Sequence, residues 1–264
     1  MNWRAEAIAV WAFVVRNFLM GTRNVFFFFE LLFWPTVGVL SIGLMSRFLE
    51  LRDDATAFIL IGTLALSVVQ VCELEVAYVV LFDVWSKSVK HQFLAPIGIR
   101  HLTLGAWVVG VVRGVVIFAV LGLLGWWAFG FNVLAAGLLP LVTFLLGCLL
   151  SAWIVGVLVC ALITLFGNRA EAFAWASVNF VLVLAGIYYP ISVLPAPAAA
   201  VAAAIPLTHF LDAYRAHFGF ASEFRAPVAT GLALSIVYAT LAHALFLGAV
   251  QRARRTGLLL KMSE

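Results

Sequence analysis

The stretch AGIYYPISVLPAPAAAVAAAIPLTHFLDAYR, Ala185 to Arg215, decides how the chain folds. An apolar run closes at Tyr188 and Tyr189, and Pro190, Pro195 and Pro197 follow in quick succession. Proline lacks a backbone N–H and its ring clashes with the preceding turn, so no single straight helix passes through. A small-residue helix from Ala198 to Ala204 is predicted next. Pro206 stops it ahead of a polar cluster of Thr208, His209, Asp212 and Arg215. Inside lipid, irregular backbone survives only where protein or water satisfies its polar groups. The pattern predicts a broken, re-entrant hairpin over residues 190–214 at one membrane face, shielding something beneath it.

The rest of the chain sets this stretch in a membrane. Hydrophobic residues make up 65% of the 264 positions, mean hydropathy is +1.13, and 11% of residues are charged. Soluble domains carry about a quarter charged residues. An all-α integral membrane protein follows, and at roughly 20 residues per span plus connections about five to seven helices fit. The net charge of +4 is modest and, as its distribution shows, belongs to membrane topology rather than to nucleic-acid binding. Cys72, Cys148 and Cys160 lie in apolar runs without CxxC or metal spacing and read as small packing residues. No cleavable signal is expected ahead of Arg4, so the first apolar segment is read as retained.

Read in order, residues 1–22 form a helix lying in the interface. The run Ala7 to Val15 is too short to span about 30 Å, and Trp3, Ala7, Val10, Val14 and Phe18 share one face. Six spans are predicted at 24–48, 57–82, 102–129, 138–166, 172–189 and 227–250. Between the second and third lies a polar, amphipathic segment, 83–100. The N-terminal segment, that loop and the tail hold Arg4, Arg16, Arg23, Lys87, Lys90, Arg100, Arg252, Arg254, Arg255 and Lys261. Arg47, Arg52, Arg215 and Arg225 on the other side are offset by carboxylates. Basic residues mark the cytoplasmic side, so both termini are expected inside. No repeat of the kind found in secondary transporters is visible, and the chain reads as one transmembrane domain.

Two quoted motifs carry a resemblance. YYPISVLPAP followed by PLTHFLDAYR resembles the segment after the fifth helix of type-2 ABC exporter permeases (the ABC-2 type). WSKSVKHQFLAPIGIR, Trp85 to Arg100, is similar to the short cytoplasmic coupling helix of the same family. That family includes bacterial drug, polysaccharide and lipo-oligosaccharide exporters. The resemblance implies that Trp85, Phe93 and Leu94, with Val89, fill a groove on a partner while Lys87, Lys90 and His91 face its polar rim. The plainer reading of this segment is a basic loop that only sets topology.

No GxxxxGK[ST] occurs, nor any HExxH or GxSxG, so this chain is not expected to be an enzyme or to bind a cofactor or metal. What the resemblance implies is a homodimer of this chain in the bacterial plasma membrane, contacting membrane lipids and carrying two separate ATPase subunits. ATP and Mg would bind on those partners. The coupling helix would pass their closure to the spans, and the interface of first, second and fifth spans would open outward. The hairpin, with Tyr188, Tyr189, Pro190, Pro195, Pro206, His209 and Asp212, would be the extracellular gate. The short connection after the third span argues against permeases with large ectodomains.

Charges inside the spans need partners or water, at roughly 2.5–3.5 kcal/mol each. Glu73 and Arg113 each sit about eleven residues in from the cytoplasmic end of their span, roughly 16 Å deep at 1.5 Å per residue. An ion pair between them is expected, either lining an inward cavity or fixing helix packing. Glu30 and Glu75 have no depth-matched partner and are assigned to an aqueous vestibule. The five histidines show no CxxCH or i,i+4 pair, and His209 reads as a helix-end or gating residue. Tyr188 and Tyr189 read as interfacial aromatics ahead of substrate stackers. Two other functions fit the same composition: an ion-gradient-driven carrier or channel without an ATPase, and a non-transporting membrane scaffold.

Overall fold

A computed structural model describes residues 3–22, 25–89, 92 and 98–261, with the side chains of 25–28, 30, 168, 182, 260 and 261 excepted. Among the described residues every regular element is a helix or a short 3-10 turn. The axis is α3 (Asp53–Trp85), 33 residues and therefore about 50 Å long. Asp53 and Asp54 occupy its first turn, where carboxylates offset the positive end of the helix dipole. From Leu60 to Val84 it is buried on nearly every side.

Around it pack α2 (Val25–Phe48), α4 (Ile99–Phe129), α5 (Leu138–Phe166) and α6 (Glu171–Leu184). The last long helix, α9 (Pro227–Arg255), lies on α5. The chain leaves α4 through Gly130 at φ 72°, whose N–H reaches the Trp126 carbonyl while that of Phe131 reaches Gly125. This left-handed exit satisfies the last carbonyls of the helix. Large apolar side chains face outward all round, among them Leu123, Trp127, Leu139, Phe180 and Ile236. In water such a surface drives aggregation; in a bilayer it is the solvated face. The protein is a multi-pass membrane protein.

Among the described residues six helices are long and apolar enough to cross a membrane: α1 (Trp3–Thr22), α2, α3, α4, α5 and α9. The expected number is six, but its membership differs from the sequence reading. The predicted fifth span, 172–189, is a helix of 14 residues that stops at Leu184, about 21 Å and short of a bilayer core. Gly186 at φ 69° turns the chain there, in a region that disfavours other residues. The predicted hairpin follows as α7 (Ala196–Ala203) and α8 (Pro206–Ala216), bent by 87° at their junction. Pro206 is the first residue of α8 and Pro197 the second of α7, positions where the missing N–H has no partner to lose.

The expected interfacial helix is α1, and it is not isolated at a surface. Glu6 meets Arg100 and His101, Phe13 lies on Gly105, and Gly21 lies on Arg113. The helix thus climbs beside the first half of α4. Its other face turns Trp3, Ile8, Trp11, Val15 and Phe18 outward. A four-residue helix, α10 (Leu258–Lys261), ends the described chain.

Candidate functional site

The hairpin is clamped to the bundle by one arginine. Arg215 of α8 is 5% exposed, and its guanidinium donates to the carbonyls of Gly186 at 2.7 Å, Ile187 at 2.6 Å and Phe58 at 3.0 Å. The first two carbonyls belong to the turn that ends α6, where helix geometry leaves acceptors unpaired. Beneath this turn lies Gly62 of α3, and a Cβ there would come within 1.8 Å of the Ile187 oxygen. Only a hydrogen fits. Phe210 fills the space over Gly147 of α5 and Gly231 of α9, and Tyr214 stacks on Phe144 at 4.3 Å.

The proposed gate residues take distinct places. His209 donates through Nε2 to the Ala203 carbonyl at 2.8 Å and so holds the elbow between α7 and α8. Asp212 accepts from the Ser222 hydroxyl at 2.6 Å and the Glu223 N–H at 3.0 Å, fastening the loop that leads to α9. Tyr189 donates to the Val183 carbonyl, and Tyr188 lines the open vestibule outside the turn. Pro190 and Pro195 precede the 3-10 turn Ile191–Val193 and α7 respectively. These residues are brought together at one end of the bundle.

The expected Glu73–Arg113 pair is replaced by another. Arg113 bonds Glu75, and the pair is buried. Glu75, expected to lack a depth-matched partner and to face an aqueous vestibule, is the buried residue that meets Arg113. Two residues along a helix turn the side chain by about 200°, so Glu73 and Glu75 occupy opposite faces of α3. Glu75 faces α4. Glu73 is fully buried and accepts from Ser177 of α6 at 3.4 Å, with its second oxygen unpaired. The guanidinium of Arg113 also lies on Gly21, where a Cβ would come within 1.9 Å of it. Arg113 therefore joins α1, α3 and α4. Glu30 falls outside the described side chains.

In the expected coupling segment, Trp85 ends α3 and packs on Tyr78 and Phe82, while Lys87 sits in a turn at φ 57°. Lys90, His91, Phe93 and Leu94 lie outside the described residues. Sequence reading missed how the segment is braced. Arg16 of α1 reaches Asp83 at 2.5 Å and Gln92 at 2.6 Å. Glu6 binds Arg100 at 2.8 Å and His101 at 2.7 Å. His101 Nδ1 accepts from the Gly98 N–H, so its Nε2 carries the proton that points at Glu6. Helix α1 thus holds both ends of the segment.

A small cleft between α2, α3 and α6 is lined by Trp34, Gln70, Leu74, Tyr78 and Trp175. No spacing rule marks these residues, because they come from three separate helices. Among the described residues no group of His, Cys, Asp and Glu is arranged to hold a metal ion.

An all-helical bundle with a broken hairpin after a short helix, braced at its other end, meets the sequence profile of ABC-2 type transporters over residues 8–218. The chain belongs to that family. It is the transmembrane permease of an ABC transporter, a transport subunit whose family works with an ABC ATPase. A 48-residue stretch of the permease is 40% identical to an uncharacterized protein of Archaeoglobus fulgidus, covering 18% of this chain and 75% of that protein.

Proposed function

We propose that this permease exports an amphiphilic, lipidic or glycan substrate from the cytoplasm or inner leaflet, powered by two ATPase subunits on a homodimer. Family membership across residues 8–218 carries the reading. The bacterial plasma membrane is its site, with both termini cytoplasmic, as the basic residues near Arg100 and Arg252 to Arg255 indicate. ATP and Mg act on the partner subunits.

In this mechanism residues 83–100 receive the ATPase movement. Two braces support that role: Arg16 with Asp83 and Gln92, and Glu6 with Arg100 and His101. Helix α3 begins at the hairpin end and finishes at Trp85, so a tilt at one end reaches the other. The aromatic cleft of Trp34, Tyr78 and Trp175 is the substrate-facing surface, and the hairpin is the outward gate.

The test is co-purification with the neighbouring ATPase and turnover in lipid, comparing wild type with Lys90→Glu/Phe93→Ala. Loss of assembly or altered turnover supports the reading. If no ATPase associates and turnover ignores this chain, export by ATP is overturned and a gradient-driven carrier takes its place. A scaffold is identified by full function after replacement of the buried charges with apolar residues.

A further inference from the structure

Helices α4 and α5 leave an open groove between them at the hairpin end of the bundle. Val115, Ala119, Gly122 and Trp126 of α4 form one wall, and Leu141 and Leu145 of α5 form the other. The connection after α4 closes the end with Asn132, Val133 and Leu134. Gly122 leaves its wall bare, because a Cβ there would meet only Val133, at 3.1 Å. The aromatic cleft belongs to α2, α3 and α6, so the two sites share no residue. Ala119, Leu123, Trp126 and Leu134 are exposed, and the groove opens onto the apolar surface assigned above to the bilayer.

Length, depth and polarity select the occupant. From Val115 to Trp126 the α4 wall is about 16 Å long at 1.5 Å per residue. That matches half of a hydrocarbon core of about 30 Å, the depth to which one lipid chain reaches. Among the described residues no charged side chain lines the groove, and its side-chain donors sit at one end. Asn132 Oδ1 accepts from the Leu134 N–H at 2.9 Å, while its Nδ2 has no partner. The Trp126 indole N–H has none either. Both residues are exposed, so these donors are open to an acceptor from the bilayer. A transmembrane helix has its backbone carbonyls bonded internally and offers them little. The ester carbonyls of a diacyl lipid lie at the interface with acceptors free and chains running inward.

We propose that this groove holds one resident diacyl lipid, with a chain between α4 and α5 and an ester carbonyl on Asn132 Nδ2 and Trp126 Nε1. The lipid is a fixed part of the protein rather than its cargo, and the assignment does not rest on the exporter reading. It bears on the hairpin. The Val133 carbonyl accepts from the Tyr214 hydroxyl of α8, and the Phe131 ring lies 5.4 Å from that of Phe218. A seated lipid therefore backs the connection against which α8 rests.

The test uses the full chain, delipidated in mild detergent and reloaded with dipalmitoyl phosphatidylcholine, its dihexadecyl ether analogue or dipalmitoyl phosphatidylglycerol. Native mass spectrometry counts the lipid retained per chain. The ester lipid is expected to bind roughly fivefold more tightly than the ether, on the order of one net hydrogen bond. The choline and glycerol head groups should bind alike, because no charge lines the groove. Trp126→Phe with Asn132→Asp keeps the cap acceptor, removes both donors and should abolish the ester preference. Ala119→Trp fills the groove from an exposed position and should abolish retention with circular dichroism unchanged. A diazirine in the acyl chain should attach within residues 115–126 and 141–145 rather than at Ile236, Val237 and Leu241, which are exposed on α9. No retained lipid, full retention by Ala119→Trp, or adducts spread evenly over α4, α5 and α9 would overturn the site. Equal binding of ester and ether, or strong preference for the anionic lipid, would overturn the seating on Asn132 and Trp126.

Discussion

The guanidinium of Arg215 lies 3.5 Å from the ring centre of Phe58, a residue 157 positions earlier in the chain. The same group holds the Phe58 carbonyl and both carbonyls of the α6 turn. Removing it leaves the two buried acceptors, Gly186 and Ile187, without their donor, at about 1–3 kcal/mol each. Arg215→Met is therefore expected to lower thermal stability markedly and to speed maleimide labelling of a cysteine at Ser192. Lysine keeps the charge but not the planar fork, and Arg215→Lys should recover only part of the loss. Unchanged melting and labelling in Arg215→Met would remove the clamp from the account.

Gly62 and Arg215 act on the same turn, so their substitutions should not add. A methyl at Gly62→Ala meets the Ile187 oxygen at 1.8 Å and displaces the turn that Arg215 holds. In a double-mutant cycle the second change is expected to add little, with a coupling of about 0.5–3 kcal/mol, as for residues in one network. Simple additivity in thermal unfolding would mean that the two positions work apart.

For the bundle interior, the charge exchange Glu75→Arg with Arg113→Glu should recover folding lost in either single variant. Breaking a buried pair by removing one partner destabilises by about 3–5 kcal/mol. The exchange at Glu73 should fail, because Glu73 faces Ser177 instead. Monodisperse yield and melting temperature read the outcome. Rescue at Glu73 and not at Glu75 would reverse the assignment.

The α1 braces are expected to matter for coupling more than for stability. Arg16 is part-exposed at 28% of its side chain, and exposed pairs contribute about 0–1 kcal/mol. Arg16→Gln combined with Glu6→Gln should shift melting little while lowering substrate-stimulated ATPase turnover severalfold in the assembled complex. Turnover that is indifferent to the pair would confine α1 to anchoring.

Several of these relationships were open to sequence reading and others were closed to it. Spans are local properties: an apolar run of sufficient length forms a helix wherever lipid surrounds it. The fourth predicted span, 138–166, coincides with α5, and the third shares its end at Phe129 with α4. The prolines announced the hairpin because proline acts on its own turn. Gly186 was the missed signal in 172–189, a glycine beside Ala185 where the chain turns back.

By itself, then, the sequence determined an all-helical membrane bundle, the break between Tyr189 and Pro206, and the family. Only the tertiary structure decided which charges meet. Rotation of about 100° per residue means that depth along a helix says nothing about facing until the neighbours are placed. That is why Arg113 takes Glu75 and not Glu73, why Arg215 closes on Phe58, and why Glu6 and Arg16 find the two ends of one segment.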